Sequence, residues 1–211
     1  MSVCAQISEL VQKGRAKPVK EEVAKAIESG VPVADILNEG MLAAMDVVGE
    51  RFKSNEIYVP EMLVAARAMN AGMEVLKPHL MEAGVEPIGK VILGTVAGDL
   101  HDIGKNLVKL MLEGKGIEVV DLGIDVPAEK FVEAHKEHGS SLILLSALLT
   151  TTMGEMKTVI ETFEKAGLRD KVKFMIGGAP ITDTFRAEIG AEYYTSDAAS
   201  AASLAKEVIS A

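Results

Sequence analysis

The sequence has few of the residues that cross-link or stiffen small proteins. Among its 211 residues it contains a single cysteine, Cys4, no tryptophan and only 4% aromatic residues. One cysteine excludes an intrachain disulfide and favours a reducing compartment, so we expect a cytoplasmic protein. Because aromatic rings are scarce while methionine occurs 11 times, the core is expected to be aliphatic and adaptable in its packing.

Positive charge is also in deficit. Lysine and arginine number 22 against 31 aspartates and glutamates, which gives a formal net charge of −9 at pH 7. An acidic surface disfavours nucleic acid and anionic membranes as partners. No uninterrupted apolar stretch approaches the ~20 residues of a membrane-spanning helix, and the first residues lack the basic and apolar regions of a signal peptide. We therefore expect neither a nucleic-acid nor a membrane partner.

Residues 1–87 show the apolar spacing of helices. Gly14 follows the first periodic segment, and Ser29-Gly30 follows the second. Pro18, Pro32 and Pro60 stand where proline fits the first turn of a helix. Four helices with short connections predict a four-helix bundle, which we assign to a separate helical domain of residues 1–87.

Residues 88–211 show a different pattern, in which apolar runs of strand length alternate with amphipathic segments. Runs rich in Val, Ile and Leu, bounded by Gly, Asp and Ser, are typical of parallel strands covered on both faces. Five of them predict an α/β domain with a flavodoxin-like (Rossmann-like), doubly wound, five-stranded parallel sheet. The strands are expected near residues 90–97, 117–122, 141–147, 172–176 and 192–195, and the helices near residues 104–114, 127–138, 153–166, 182–189 and 197–209.

Three loops that follow strands of this predicted sheet carry polar and glycine residues. The carboxyl ends of parallel strands share one edge, which is where open α/β sheets bind ligands. The first loop contains Asp99 and His101, and an aspartate can hold one ring nitrogen of a histidine while the other binds a metal. The second loop begins at Ser146, and the third contains Gly177 and Gly178. These loops are therefore expected to converge.

Each of these features also has an ordinary structural explanation when it is taken alone. Asp102 or Asn106 can simply cap a helix. Ser146 can close a strand, and Gly177-Gly178 can form a tight turn. Phe52 can belong to the core of the bundle. The combination of the three loops, rather than any one of them, indicates a ligand site.

Together the three loops resemble the signature of cobalamin-dependent methyltransferases and mutases. That signature reads Asp-x-His-x-x-Gly, then Ser-x-Leu, then Gly-Gly, and its elements stand here at residues 99–104, 146–148 and 177–178. The helical half resembles the cap of methyl carriers through residues 40–52 and Val59-Pro60-Glu61. The chain looks like a small corrinoid protein that pairs with a substrate-specific methyltransferase, and it is similar to the cobalamin-binding region of methionine synthase.

The resemblance implies a bound cobalamin or related corrinoid, with cobalt as the metal. In that family a protein histidine replaces the cofactor's own base beneath the cobalt, and the matching residue is His101, oriented by Asp99. Thr152 is expected to add a hydrogen bond to the detached nucleotide tail. The residues that the resemblance places around the corrinoid and its tail are Gly98, Asp99, His101, Asp102, Gly104, Ser146, Leu148, Thr150, Gly177 and Gly178, with Phe52 and Val59 over the upper face.

The resemblance further implies a corrinoid methyl carrier that is not catalytic alone. Such a carrier alternates between methyl-Co(III) and Co(I) while it shuttles a methyl group from a substrate-specific methyltransferase to an acceptor methyltransferase. A reductive activator is a third expected partner. The sequence leaves open the methyl donor, the methyl acceptor, the lower base of the corrinoid and the oligomeric state.

Three alternatives stay open from the sequence. The cobalamin-binding subunit of a carbon-skeleton mutase shares the histidine loop, although a helical cap would be superfluous there. The second alternative is a corrinoid-binding sensor or storage module, and a sensor is expected to add a basic, DNA-binding output domain. The third is a flavodoxin-like domain without cobalt.

Overall fold

Four helical stretches build the first part of the chain in the computed structural model, which describes residues 2–211. The Ser2 hydroxyl accepts a hydrogen bond from the Ala5 N–H and so caps the first helix. Pro60 occupies the first turn of the last one, as expected. The predicted helical bundle is confirmed. Three of the stretches are α1 (Val3–Gln12), α2 (Ala16–Glu28) and α5 (Val59–Glu82). The remaining stretch, between α2 and α5, consists of α3 (Val33–Asp35), a π-helical segment (Ile36–Leu42) and α4 (Ala43–Lys53), which follow one another without a break.

The π-helical segment is a feature that the apolar spacing does not predict. Its seven residues form turns that are wider than those of an α-helix. Gly40 of this segment lies against α1, where a Cβ atom would come within 3.3 Å of Ile7 Cγ2. The segment therefore brings a residue without a side chain to the contact between two helices.

Aliphatic side chains and methionines fill the core of the helical unit. Met41, Met45 and Met62 are at most 1% exposed. Gly72 lets α5 approach its neighbours closely, because a Cβ there would lie 2.8 Å from both Met41 Cε and Val19 Cγ1. Methionines thus fill much of the core of this unit, whereas the sheet unit also buries Phe163 and Phe174, whose ring centroids lie 5.2 Å apart.

Five parallel strands form the sheet of the second part, in the order β2–β1–β3–β4–β5. This is the order of flavodoxin-like sheets, which bind ligands where the strand order reverses, here between β1 and β3. The predicted doubly wound parallel sheet is confirmed. The strands are β1 (Gly89–Thr95), β2 (Ile117–Asp121), β3 (Leu142–Ser146), β4 (Lys173–Gly177) and β5 (Tyr193–Tyr194), and the helices are α6 (Ile103–Glu113), α7 (Ala128–His138), α8 (Gly154–Lys165), α9 (Asp183–Ile189) and α10 (Ala198–Ser210).

The pairing register puts the starts of the three functional loops side by side. Thr95, at the end of β1, pairs with Ser146, and Ser146 pairs with Gly177 at the end of β4. The middle residues of these strands are buried, because helices cover both faces of the sheet. The polar residues that follow the strands therefore gather at the carboxyl edge of the sheet.

The chain forms two compact units. The first comprises the chain up to Pro87 together with Gly114–Gly116, and the second comprises Ile88–Glu113 and Ile117–Ala211. Over residues 2–211, none of the helices combines the length and the apolar character that crossing a membrane requires.

Candidate functional site

His101 stands at the carboxyl edge of the sheet and is held at three points. Its ring Nδ1 lies 2.8 Å from Asp99 Oδ1, and its backbone N–H donates to the same oxygen at 3.0 Å. Its carbonyl accepts a hydrogen bond from the buried Thr95 hydroxyl at 3.0 Å. The side chain itself remains 48% exposed. The backbone is thus fixed while the ring faces outward.

The partner of Nδ1 determines which ring nitrogen is free. An ionised carboxylate can only accept hydrogen bonds, so Nδ1 carries the proton when the imidazole is neutral. Nε2 then presents a lone pair, and no protein group within residues 2–211 hydrogen-bonds to it. A neutral imidazole oriented in this way by a carboxylate is a typical metal ligand.

Asp99 is fully buried and accepts hydrogen bonds from two loops. Besides His101, its carboxylate accepts from the Leu148 N–H at 2.8 Å, the Leu149 N–H at 3.3 Å and the Thr152 hydroxyl at 2.7 Å. Burial alone raises the pKa of this carboxyl, but the hydrogen bonds outweigh burial and keep its pKa well below the usual range. Asp99 is therefore ionised, and it links the first loop to the second.

Thr152 has a different role from the one expected from the sequence. It is 8% exposed, and its hydroxyl donates to Asp99 Oδ2, so it supports the Asp99–His101 pair instead of a nucleotide tail. The helical turn that begins after Leu149 rotates the side chain toward the carboxylate, since the Thr152 N–H bonds to the Leu149 carbonyl. Thr150 of the same loop is exposed.

A cavity of about 520 Å³ opens beside these loops. Its walls come from the ends of β1, β3, β4 and β5 and from the first turns of α6 and α10, and apolar side chains such as Val108, Met175 and Ala198 line part of it. The structure thus brings residues from all three predicted loops to one cavity. The predicted residues that line it are Gly104, Ser146, Leu148, Gly177 and Gly178.

Gly178 allows the third loop to touch the second. Its φ of +136° is rarely adopted by residues with side chains, and a Cβ there would lie 1.8 Å from the Ala147 carbonyl oxygen. The Ala147 N–H in turn donates to the Gly177 carbonyl at 3.3 Å. The shape of this side of the cavity therefore depends on glycine at position 178.

Exposed apolar side chains flank His101 and define what we term the apolar rim. Leu100 and Ile103, its near neighbours in the first loop, are 67% and 77% exposed. Large exposed apolar side chains that cluster on a surface mark binding sites. With an imidazole whose Nε2 is free among them, this surface could accommodate a metal held in a large, partly apolar ring. The rim comprises Leu100, Ile103, Ile124, Leu148 and Leu149.

Lys105 carries a buried charge at the wall of the cavity, which the sequence analysis missed. Its ammonium group lies 2.7 and 2.8 Å from the two Asp121 carboxylate oxygens and 2.8 Å from Asn106 Oδ1. Burial raises the pKa of the Asp121 carboxyl, but hydrogen bonds from Lys105 and the Gly123 N–H and the charge of Lys109 bring it below the usual range. All three ammonium protons have acceptors, so Lys105 ties α6 to β2.

The remaining predicted residues lie at the edge of this site or in the other unit. The Gly98 N–H donates to Asp125 Oδ1 at 2.6 Å. Asp102 is exposed, and its carboxylate accepts from the side-chain Nδ2 of Asn106 at 3.0 Å rather than from a backbone N–H of α6. Phe52 lies near the end of α4 and Val59 begins α5, both half-buried in the helical unit.

Two family matches together span most of the chain. A family described as a B12 binding domain matches residues 89–203, and a second family with the same description matches residues 3–77. The first covers the sheet and its three loops, and the second covers the helical unit.

Similar proteins include trimethylamine and dimethylamine corrinoid proteins and a solved methanol:cobalamin methyltransferase complex. The chain is 41% identical over 191 residues to trimethylamine corrinoid protein 1 of Methanosarcina acetivorans. The aligned region covers 90% of this chain and 88% of that protein. It is 44% identical over 177 residues to the dimethylamine corrinoid protein of Methanosarcina barkeri, covering 83% of each. A solved structure of the methanol:cobalamin methyltransferase complex MtaBC from Methanosarcina barkeri matches with a TM-score of 0.89 and 31% identity over 98% of this chain and 79% of that one.

Proposed function

The chain belongs to the B12-binding domain family and is a corrinoid protein of a methyltransferase system, and from this premise we propose that it carries methyl groups between two methyltransferases. The observation that supports this role best is the Asp99–His101 pair, which leaves Nε2 free beside the cavity and the apolar rim. A methyl carrier needs a metal ligand and a place for the cofactor, and both are features of this sheet edge.

The residues present fit a corrinoid. His101 Nε2 would bind the cobalt, and the 520 Å³ cavity would take the nucleotide tail. When bound, the corrinoid supplies a cobalt centre that accepts and releases a methyl group. We assign Gly98, Asp102, Leu148 and Thr150 to the periphery of the ring, Gly104, Ser146, Gly177 and Gly178 to the tail, and Phe52 and Val59 of the helical domain to the upper face.

The chain's own contribution is to orient the ligand and to hold a proton. The buried, ionised Asp99 keeps the proton of His101 on Nδ1 and the lone pair on Nε2. Thr152 and the Leu148 N–H fix the carboxylate in turn. We propose that residues 1–87 and 88–211 are separate domains and that the helical domain shields the upper face until a partner enzyme docks, with the linker near residues 82–90 as the hinge.

The proposed partners are a substrate-specific methyltransferase, an acceptor methyltransferase and a reductive activator, in the cytoplasm. Methylamines are the methyl donors that the relatives support best. Identity to the trimethylamine and dimethylamine corrinoid proteins is 41% and 44%, against 31% to the protein of the methanol complex. We therefore propose that the substrate-specific partner demethylates a methylated amine.

A donor screen tests this function directly. The corrinoid-loaded protein, reduced to its active state, is mixed with methyltransferases specific for trimethylamine, dimethylamine, monomethylamine or methanol and the matching isotope-labelled donor. We expect label to appear on this protein with a methylamine and its enzyme, and to pass on to a thiol when an acceptor methyltransferase is added. Labelling from methanol alone would contradict the donor assignment, and labelling from none of the donors would contradict the carrier role.

Two glycine substitutions are expected to separate the stability of the fold from binding of the tail. A Cβ at Gly104 meets nothing within 4 Å in the protein but enters the cavity that this residue lines. Gly104→Ala should therefore leave the free energy of unfolding unchanged or raise it by up to ~1 kcal/mol, because alanine favours a helix. It should weaken corrinoid binding by roughly tenfold, since the tail competes for the same space.

Gly178→Ala, in contrast, should destabilise the fold. The contact with the Ala147 carbonyl and the unfavourable φ should lower the free energy of unfolding by about 3 kcal/mol or more. Gly190→Ala is the matched control, because Gly190 has a φ of +74° and an open surrounding, so only the backbone cost of about 1–2 kcal/mol applies. Urea unfolding and corrinoid titration of the three variants measure both effects. Equal stability losses at positions 178 and 190 would contradict the tight contact between the loops.

A further inference from the structure

The loop between β2 and α7, residues 122–127, contacts the loop that carries His101. Asp125 makes both side-chain and backbone contacts there. Its Oδ1 accepts a hydrogen bond from the Gly98 N–H at 2.6 Å, and its own N–H donates to the Asp99 carbonyl at 3.0 Å. One residue thus binds two consecutive residues of the first loop, which lie three and two positions before His101.

The backbone of Asp125 is in the left-handed conformation, with a φ of 52°. Over residues 2–211, Asn55 is the one other non-glycine residue with a positive φ, at 60°. Glycine adopts this conformation at no steric cost, whereas a residue with a Cβ pays one. The hydrogen bond from the Gly98 N–H gives a physical reason for an aspartate here, because glycine has no side chain to accept it.

We propose that Asp125 is a positioning residue for His101. The carboxylate of Asp99 is fixed by the second loop, through Leu148, Leu149 and Thr152. Its backbone is fixed by Asp125 from the β2–α7 loop, because the Asp125 N–H bonds to the Asp99 carbonyl and the Asp125 carboxylate holds the preceding Gly98 N–H. With both ends of Asp99 fixed, the oxygen that bonds to Nδ1 of the imidazole has one position, and the ring keeps one tautomer and one orientation.

This inference rests on the proposed role of His101, and its first test does not need the cofactor. In the corrinoid-free protein labelled with ¹⁵N-histidine, NMR reports which ring nitrogen of His101 carries the proton. The wild type and Asp125→Asn should show the same Nδ1–H tautomer, because asparagine keeps the acceptor oxygen and tolerates a positive φ. Asp125→Gly keeps the N–H that bonds to the Asp99 carbonyl but loses the carboxylate that holds the Gly98 N–H. The turn before Asp99 is then no longer fixed, so the His101 signals should shift toward the average of two exchanging tautomers.

Asn55→Gly is the matched control for stability, since it also replaces a left-handed residue with glycine, in the helical unit. Asn55→Gly should keep an unfolding midpoint close to that of the wild type, because glycine favours this conformation. Asp125→Gly should lose at most the stability of the one hydrogen bond from Gly98, which the relief of backbone strain partly offsets. Only Asp125→Gly should alter the His101 ring. A changed midpoint in Asp125→Gly with unchanged ring signals would reduce Asp125 to a structural residue and overturn the proposal.

A second readout uses the protein loaded with a Co(II) corrinoid. Electron paramagnetic resonance gives the ratio of histidine-bound to histidine-free cobalt, and Asp125→Gly should lower that ratio roughly tenfold, as expected from losing one charge-assisted hydrogen bond. Asp125→Asn should leave it close to the wild-type ratio. If even the wild type shows no histidine on cobalt, the proposed function fails, whereas the ring signals of the free protein still decide the role of Asp125. If the His101 ring signals of Asp125→Gly match those of the wild type, only the positioning role of Asp125 is overturned.

Discussion

Replacing His101 with alanine is expected to weaken corrinoid binding by more than roughly 100-fold. Loss of a residue that only hydrogen-bonds to a metal ligand already weakens metal binding by roughly 10–100-fold. The imidazole is the group whose Nε2 is free at the sheet edge, and the variant removes the proposed metal ligand itself. The fold should tolerate the change, since the side chain is 48% exposed. Titration of the free protein with a corrinoid, followed by visible absorption, measures the dissociation constant.

His79→Ala is the matched control for this prediction. His79 is half-buried on α5, and its Nδ1 lies 3.8 Å from Glu82, so the same deletion there removes a surface imidazole without touching the sheet. Its corrinoid affinity should equal that of the wild type. A dissociation constant for His101→Ala within twofold of the control would exclude His101 as a metal ligand.

Asp99→Asn is expected to cost about 2–4 kcal/mol of folding free energy as well as corrinoid affinity. The fully buried carboxylate accepts hydrogen bonds from His101, Leu148, Leu149 and Thr152. An amide NH₂ in place of one oxygen turns its hydrogens toward backbone N–H groups that cannot accept them. Urea unfolding at pH 7 measures the loss. A cost below about 0.5 kcal/mol would mean that these donors find water instead.

Thr152→Val is the matched control, because it keeps the shape of the side chain but deletes one hydrogen bond to Asp99. Its cost should be about 1 kcal/mol, which is smaller than that of Asp99→Asn. The two substitutions should not be additive, because they remove the same interaction between Thr152 and Asp99. An equal loss of folding free energy in both variants would show that the Thr152 hydroxyl supplies most of the stabilisation from the hydrogen bonds to Asp99.

The difference in free energy of unfolding between the wild type and Asp99→Asn should depend on pH, because the pKa of Asp99 is lowered in the folded protein. A carboxyl whose pKa is lower in the folded state stabilises the fold fully above its unfolded pKa, about 3.9. That stabilisation decreases as the pH falls toward the folded value, which hydrogen bonds hold well below the usual range against the effect of burial. The stability difference between wild type and variant should therefore be constant from pH 6 to 8 and should narrow below pH 4.

The strands and helices of the second unit could be predicted because their signals are local. The apolar runs indicated β1, β3 and β4 within one or two residues of the observed bounds, and the strand at 192–195 is observed as Tyr193–Tyr194. A parallel sheet covered on both faces needs such runs. The π-helical segment Ile36–Leu42 was not predicted, because one wider turn does not change the apolar composition of a helix.

The center of the site could be predicted because its residues are close in sequence. Asp99 and His101 are two residues apart, and their interaction follows from the loop that contains both. The contacts of Asp99 with Thr152 and with the backbone of Asp125 cross between loops. They depend on turn geometry and a left-handed residue, which the sequence pattern does not specify. Lys105 was missed because its acceptor, Asp121, belongs to a neighbouring strand.

The most direct test of the central claim is to identify the nitrogen that binds cobalt. The protein is produced with ¹⁵N-histidine, loaded with an unlabelled Co(II) corrinoid and measured by electron paramagnetic resonance. If His101 binds the cobalt, each cobalt line should be split into two by the ¹⁵N of the protein and into three in the unlabelled protein. A threefold splitting that persists in the labelled protein would show that the cofactor keeps its own base, and it would contradict the account.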